Sequence, residues 1–198
     1  MATTSPVIVF QTLDQPHQPP APALEELKKQ DGLVRAFYGV KMEDPQAGVL
    51  CTEWSSRDAA ARGGAKVQTQ VKVNETLGFD ASPSASAAWE RALMAPCTEV
   101  FTAFGAEDGF VGNVWRFVSA LDVRPPEGYE GAAVGEGIQV GLDDDKEGEV
   151  VVRMVIGWVS REAHLEAKGK PGAIQDNIHE LRTLRRAVEL FHVPLKEI

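Results

Sequence analysis

Trp158-Val159-Ser160-Arg161-Glu162-Ala163 repeats Trp54-Ser55-Ser56-Arg57-Asp58-Ala59 at an offset of 104 residues. In both copies a Trp ends an apolar stretch, and a Ser stands two residues later with a carboxylate just beyond it. A Ser hydroxyl there accepts from a free amide of a first helical turn, and the carboxylate faces the positive end of the helix dipole. Two shorter matches keep the same order. Leu13-Asp14 answers Leu121-Asp122 at offset 108, and Glu99-Val100-Phe101-Thr102 answers Glu189-Leu190-Phe191-His192 at offset 90. Together they predict an internal duplication.

Each half reads as strand, connection, strand, strand, helix, strand. In the first half, β-branched and aromatic runs predict strands over Val7–Leu13, Val34–Met42, Val49–Trp54 and Cys97–Phe104. Helices are expected over Ala23–Gln30, after Ser56, and over Ser86–Met94, and Glu43 to Gly48 is a turn by composition. Val67, Thr69, Val71 and Val73 alternate, but no partner for them is evident. The second half offers Val114–Leu121, Ile138–Leu142, Val150–Trp158 and Val188–Leu195 as strands, with an acidic hairpin loop from Gly141 to Gly148. Ser160 caps a helix that breaks near Pro171 and resumes with Ile174, Ile178, Leu181, Leu184 and Val188 on one face. The expected class is α+β: two ferredoxin-like (βαββαβ) modules with antiparallel sheets, residues 1–105 and 110–198.

Composition narrows the function. The chain has 198 residues, with 20 Lys+Arg against 29 Asp+Glu and a formal charge of −9. Such an acidic balance excludes a general nucleic-acid binder, which needs a basic surface to displace counterions. Two cysteines, Cys51 and Cys97, cannot build a disulfide framework or a four-thiolate zinc site. No apolar run approaches the roughly 20 residues of a membrane span, and the first residues lack a signal-peptide pattern, so a cytoplasmic protein without a membrane partner is expected. GxGxxG, P-loop, HExxH, GxSxG and CxxC patterns do not occur, and neither a cofactor nor a metal is expected.

Gly157-Trp158-Val159-Ser160-Arg161-Glu162-Ala163-His164, then Asn177-Ile178-His179-Glu180-Leu181-Arg182 and Glu189-Leu190-Phe191-His192-Val193, resemble the dimeric α/β-barrel superfamily. That group includes antibiotic-biosynthesis-monooxygenase-like proteins, stress-responsive A/B-barrel proteins and polyketide cyclases, and the likeness is to two-module members found in fungi. The resemblance implies two four-stranded sheets packed face to face as a barrel within one chain, helices outside and a cavity inside. A monomer is then slightly favoured over a homodimer, because the second module supplies the sheet a partner subunit would bring. The strand Val150–Trp158 agrees: it is almost continuously apolar, so both faces must be covered, and barrel closure removes exposed edges.

Polar residues in apolar strands mark the candidate site. His192 interrupts Val188–Leu195 and is the candidate catalytic acid or base, with a core histidine as the plain alternative. Candidate ligand-binding residues are Arg153, His164, Trp158, Trp54 and Tyr38. Arg153 could clamp a carboxylate or phenolate, the two tryptophans could stack on a flat ligand, and Tyr38 could donate a hydroxyl. Thr102 and Ala60 stand where the repeat places His192 and His164, so one module alone would keep a site. The resemblance implies a barrel for a small hydrophobic or aromatic molecule. Two functions stay open: a cofactor-independent cyclase or monooxygenase-like enzyme on an aromatic or polyketide-like substrate, and a non-catalytic stress-associated or ligand-carrier barrel.

Overall fold

The computed structural model describes residues 7–14, 18–19, 21–68, 73–80, 86–140 and 150–198. In chain order the elements are β1 (Val7–Leu13), α1 (Ala21–Lys28), β2 (Leu33–Val40), β3 (Gly48–Trp54), α2 (Arg57–Gln68) and β4 (Val73–Asp80). There follow α3 (Ser86–Met94), β5 (Cys97–Phe104), α4 (Phe110–Val123), β6 (Tyr129–Val140) and β7 (Val150–Trp158). The chain ends with α5 (Arg161–Gly169), α6 (Ala173–Asn177), a 3-10 turn (Ile178–Leu181), β8 (Ala187–Val193) and β9 (Lys196–Glu197). Among the described residues no helix is long and apolar enough to cross a membrane.

Strand order is β8-β5-β7-β6-β4-β1-β3-β2-β9. It contains the ferredoxin-like arrangement twice, β4-β1-β3-β2 and β8-β5-β7-β6, each antiparallel. The two sheets join on one side where Thr76 and Leu77 of β4 face Val140 and Gln139 of β6. On the other side, β9 follows β8 almost at once and pairs with β2, and the Met42 amide donates to the His192 carbonyl at 2.8 Å. These two joins bring the sheets together as a barrel and cover edges that would otherwise be exposed.

Module boundaries differ from those read in the sequence. Cys97–Phe104 is the first strand of the second sheet, not the last strand of the first, and the first sheet is completed by β4. β4 is hard to see because VNETLGFD mixes polar residues and Gly with few apolar ones. The Val114–Leu121 stretch is helical. Its density of Val and Phe suggests a strand, yet Phe110, Val114, Phe117, Val118 and Leu121 are buried at helical spacing against β5–β7. The apolar stripe after Pro171 is helical only as far as Leu181: Leu184 takes a left-handed φ of 57° in the loop before β8. Only the Trp54/Trp158 match joins equivalent positions, the ends of β3 and β7. Glu99 and His192 are instead directly paired across β5 and β8. The acidic loop 141–148 and His17 lie outside the described residues.

Three apolar clusters follow from strand alternation. The helix side of the first sheet packs Val7, Val9, Leu50 and Trp54 on Leu27 of α1 and Ala59 and Ala60 of α2. The helix side of the second sheet packs Phe101, Met154, Ile156 and Trp158 beneath α4 and α6. Residues of opposite parity fill the barrel interior: Ile8, Phe10, Phe37, Val100, Val155 and Phe191, with Trp89, Ala92 and Leu93 of the linking helix α3. Gly157 lets α3 approach β7, since a Cβ there would lie 2.8 Å from the Ala95 Cβ and 3.1 Å from the Ala92 Cα. Among the described residues, α3 and these side chains pack together between the sheets.

Candidate functional site

The candidate site lies on the helix side of the second sheet. On β8, Phe191 and Val193 face the interior, so His192 projects toward the helices. By the same alternation Glu99 on β5 and Trp158 at the end of β7 share that face with Phe101 and Met154. Helix α5 brings the remaining piece. Ser160 caps it, its hydroxyl accepting from the Ala163 amide at 3.1 Å, and His164 is its buried residue.

These side chains form a continuous polar line. The His192 amide donates to Glu43 Oε2 at 2.8 Å, and its ring Nδ1 lies 2.6 Å from Glu43 Oε1. His192 Nε2 is 2.8 Å from His164 Nδ1. His164 stacks on the Trp158 indole, centroids 5.0 Å apart at 21°, and Trp158 Nε1 donates to Glu99 Oε2 at 2.9 Å. Arg161 reaches Glu43 Oε1 at 3.2 Å and helps hold it. An ionised carboxylate only accepts, so Glu43 selects the His192 tautomer with the proton on Nδ1. His192 Nε2 then accepts from His164 Nδ1, and His164 Nε2 is left outside the line.

Electrostatics sets each group's state. Burial opposes ionisation of Glu43, but the backbone and ring hydrogen bonds from His192 outweigh it, and its pKa lies below the ordinary value. Glu99 is pushed up to about 7, chiefly by burial, with the Trp158 hydrogen bond pulling the other way. His164 is pushed down to about 4 by burial first and then by the charge of His192. The site holds a neutral imidazole and, beside it, a carboxyl group near its midpoint at neutral pH.

A cavity of about 220 Å³ opens on this machinery. Glu99, Trp158 and His164 lie on its wall, and Phe101, Met154 and Ile156 form its apolar floor. A larger cleft of about 800 Å³ runs between Pro125-Pro126 and α5, lined by Glu162, Glu166 and Lys170 among others. It lacks both the histidines and the buried carboxyl, so size does not make it the better site.

Glu99, His164 and His192 place three potential metal-ligand atoms within 4.8 Å of one another. The two rings, however, have centroids 5.0 Å apart and facing nitrogens 2.8 Å apart. Those nitrogens lie nearly on the line between the rings. That is the geometry of a hydrogen bond, whereas two ligands of one ion aim their lone pairs at a third point.

Of the residues singled out in the sequence, the fold gathers His192, His164 and Trp158. Arg153 is separated from them, a correction to the expected shared pocket. It points into the barrel, 1% exposed, with Nε donating to Thr102 Oγ1 at 2.9 Å and its guanidinium 4.6 Å from the Phe10 ring. Trp54 and Tyr38 pack on the helix side of the first sheet, and Trp54 Nε1 is satisfied by Thr52 Oγ1 at 2.8 Å. Sequence reasoning missed Glu99 and Glu43. Glu99 was detectable by the rule that singled out Arg153, a charge inside an apolar strand; Glu43, in a polar turn, showed no such signal.

Against solved structures, the chain matches an anthrone oxidase-like protein over 98% of its length and 93% of the other chain, with TM-score 0.65 and 10% identity. It matches a protein titled "putative monooxygenase" from Lactobacillus acidophilus NCFM over 98% and 95%, with TM-score 0.57 and 11% identity. It also matches a chlorite dismutase of Candidatus Nitrospira defluvii, determined with imidazole, over 96% and 91%, with TM-score 0.54 and 9% identity. What the chain shares with these proteins is the fold, two four-stranded antiparallel sheets with helices. No family model and no curated protein matches the sequence.

Proposed function

We propose that this protein is an enzyme that takes a proton from a small aromatic carbon acid held between the second sheet and its helices, and lets the resulting carbanion react with dioxygen. The observation that carries the reading is the hydrogen-bonded line from Glu43 through His192 to His164, which ends on the wall of an apolar cavity. Burial makes a lone imidazolium at His164 costly, so His164 alone would be a weak base. The line removes that difficulty. As His164 Nε2 accepts the substrate proton, its Nδ1 proton passes to His192 Nε2, and the positive charge settles beside the Glu43 carboxylate.

The similarity to an anthrone oxidase-like protein and to a protein titled "putative monooxygenase" supports oxygenation as the following step. An activated ring methylene and one molecule of dioxygen would then give a ring carbonyl and one molecule of water. The carbanion forms a C–O bond with dioxygen, and the relay returns its proton to give the hydroperoxide. Removal of the second C–H proton forms the carbonyl and breaks the O–O bond; the departing hydroxide takes that proton and leaves as water.

Anthrone is the test substrate, in air-saturated buffer containing a chelator. Oxygen uptake equal to the quinone formed, and lost in His192→Phe with the fold intact, is the expected result. Tight binding of anthrone without oxygen uptake would overturn the catalytic reading and leave the ligand-carrier one.

A further inference from the structure

We infer that the molecule this site prefers carries an anionic group, absent from the minimal substrate anthrone, which Lys168, Arg182 and Arg185 hold at the mouth of the cavity while its rings lie on Phe101, Met154 and Ile156. The inference rests on the cavity being the reaction site, and it adds the class and orientation of the substrate. All three cations border the same cavity as Glu99 and His164. In a chain of net charge −9 a cluster of positive charge around one apolar opening needs a partner. Two nearby acids are already engaged, Glu180 with Arg116 at 3.0 Å and Glu166 with Lys170 at 3.2 Å, and Lys168 acts on the buried Glu99 through its charge without an ion-pair contact. Among the described residues neither Lys168 nor Arg182 has an ion-pair partner. Arg185 is pre-oriented, its Nε donating to the Leu181 carbonyl at 2.7 Å, which leaves the two terminal nitrogens to meet an oxyanion.

Orientation follows from the opposite end. Glu99 lies deep in the cavity wall, buried and hydrogen-bonded to Trp158, so an anion placed there would meet a second carboxylate. The anion belongs at the cationic mouth and the reacting carbon at the His164 end. A volume of about 220 Å³ suits a compact fused-ring molecule, below the roughly 300–1,000 Å³ of drug-sized sites.

The probes are 2-naphthoate and its neutral isostere 2-naphthamide, titrated at pH 7.5 by calorimetry and by the indole N–H signal of Trp158. Naphthoate should bind about 10-fold tighter than the amide at low salt, and less so as salt is added. In the variant Lys168→Ala/Arg182→Ala/Arg185→Ala the preference should fall to within about two-fold with amide affinity unchanged; Lys168→Ala/Arg182→Ala, which keeps the Arg185 hydrogen bond, should fall between. Equal binding of both probes by the unaltered protein, or a preference that survives the triple change, overturns the anionic substrate while leaving the cavity reading intact. If neither probe moves the Trp158 signal, the cavity reading itself falls, and this inference with it.

Discussion

Glu43 and His192 are 149 residues apart, yet one carboxylate takes both the backbone N–H and the ring of the histidine, at 2.8 and 2.6 Å. Glu43 sits in the β2–β3 turn of the first module and His192 on the last strand of the second. The contact therefore belongs to the seam where β8 runs into β9 and the barrel closes. The residues that close the fold and those that begin the proton line lie side by side.

Glu43→Gln removes the charge and one of the two acceptors. Its single amide oxygen can accept from the ring or the backbone N–H of His192 but not both, and no negative charge remains to stabilise the imidazolium formed during turnover. We expect kcat to fall about 10²–10⁴-fold with KM nearly unchanged. Steady-state kinetics with anthrone decides it, alongside the Trp158 indole N–H shift as a check that the site is intact. A kcat within three-fold of the parent would remove the relay from the mechanism.

Stability should carry a pH signature of Glu99. The folded chain keeps the Glu99 proton up to about pH 7, whereas the unfolded chain loses it near 4.5. Its contribution is complete below pH 4.5 and is lost as pH rises toward 7. His164 has the opposite sign: its folded pKa is about 4 against an ordinary 6.5, so its contribution is complete above 6.5 and fades as pH falls toward 4. Across pH 4.5–6.5 the two nearly cancel in the parent protein. Glu99→Gln removes one arm, and relative to the parent the variant should gain ~3 kcal/mol between pH 4.5 and 7. Urea unfolding at several pH values measures this, and parallel curves for the two proteins would refute it.

Gly63→Ala tests the reading of Trp54 as packing. In an exposed helix this change stabilises by roughly 0.5–1 kcal/mol. Here a Cβ would stand 1.9 Å from Trp54 Cη2 and 2.4 Å from Cζ3, inside the ring of a fully buried indole. Displacing that ring should make the change destabilising by about 1–3 kcal/mol. Thermal unfolding gives the sign directly; a higher Tm would mean that Trp54 yields cheaply and is not the plug of the first module.

The second half of the repeat was legible because its signals are local. Ser160 and Ser56 cap helices where the residues around them say they should, with hydroxyls accepting from the Ala163 and Ala59 amides at 3.1 and 3.2 Å. Trp54 and Trp158 end equivalent strands for the same reason. Module boundaries failed where local preference and pairing part company. Val73–Asp80 has weak strand character and becomes a strand by lying between β1 and β6. Phe110–Val123 has strong strand composition and becomes a helix because its buried residues recur at helical spacing.

Residue types alone announced that polar groups in apolar strands need partners, and this singled out His192, Arg153 and, with His164, most of the relay. Which of them meet was decided by the tertiary structure. Arg153 sits in a strand buried on both faces, and His192 is flanked by Leu190, Phe191 and Val193, so no alternation of polar and apolar residues tells which way they point. Pairing register decides, because a slip of one residue turns every side chain to the other face. In the register adopted, Arg153 enters the barrel beside Thr102, and His192 turns outward to His164, where Glu43 is waiting at the seam.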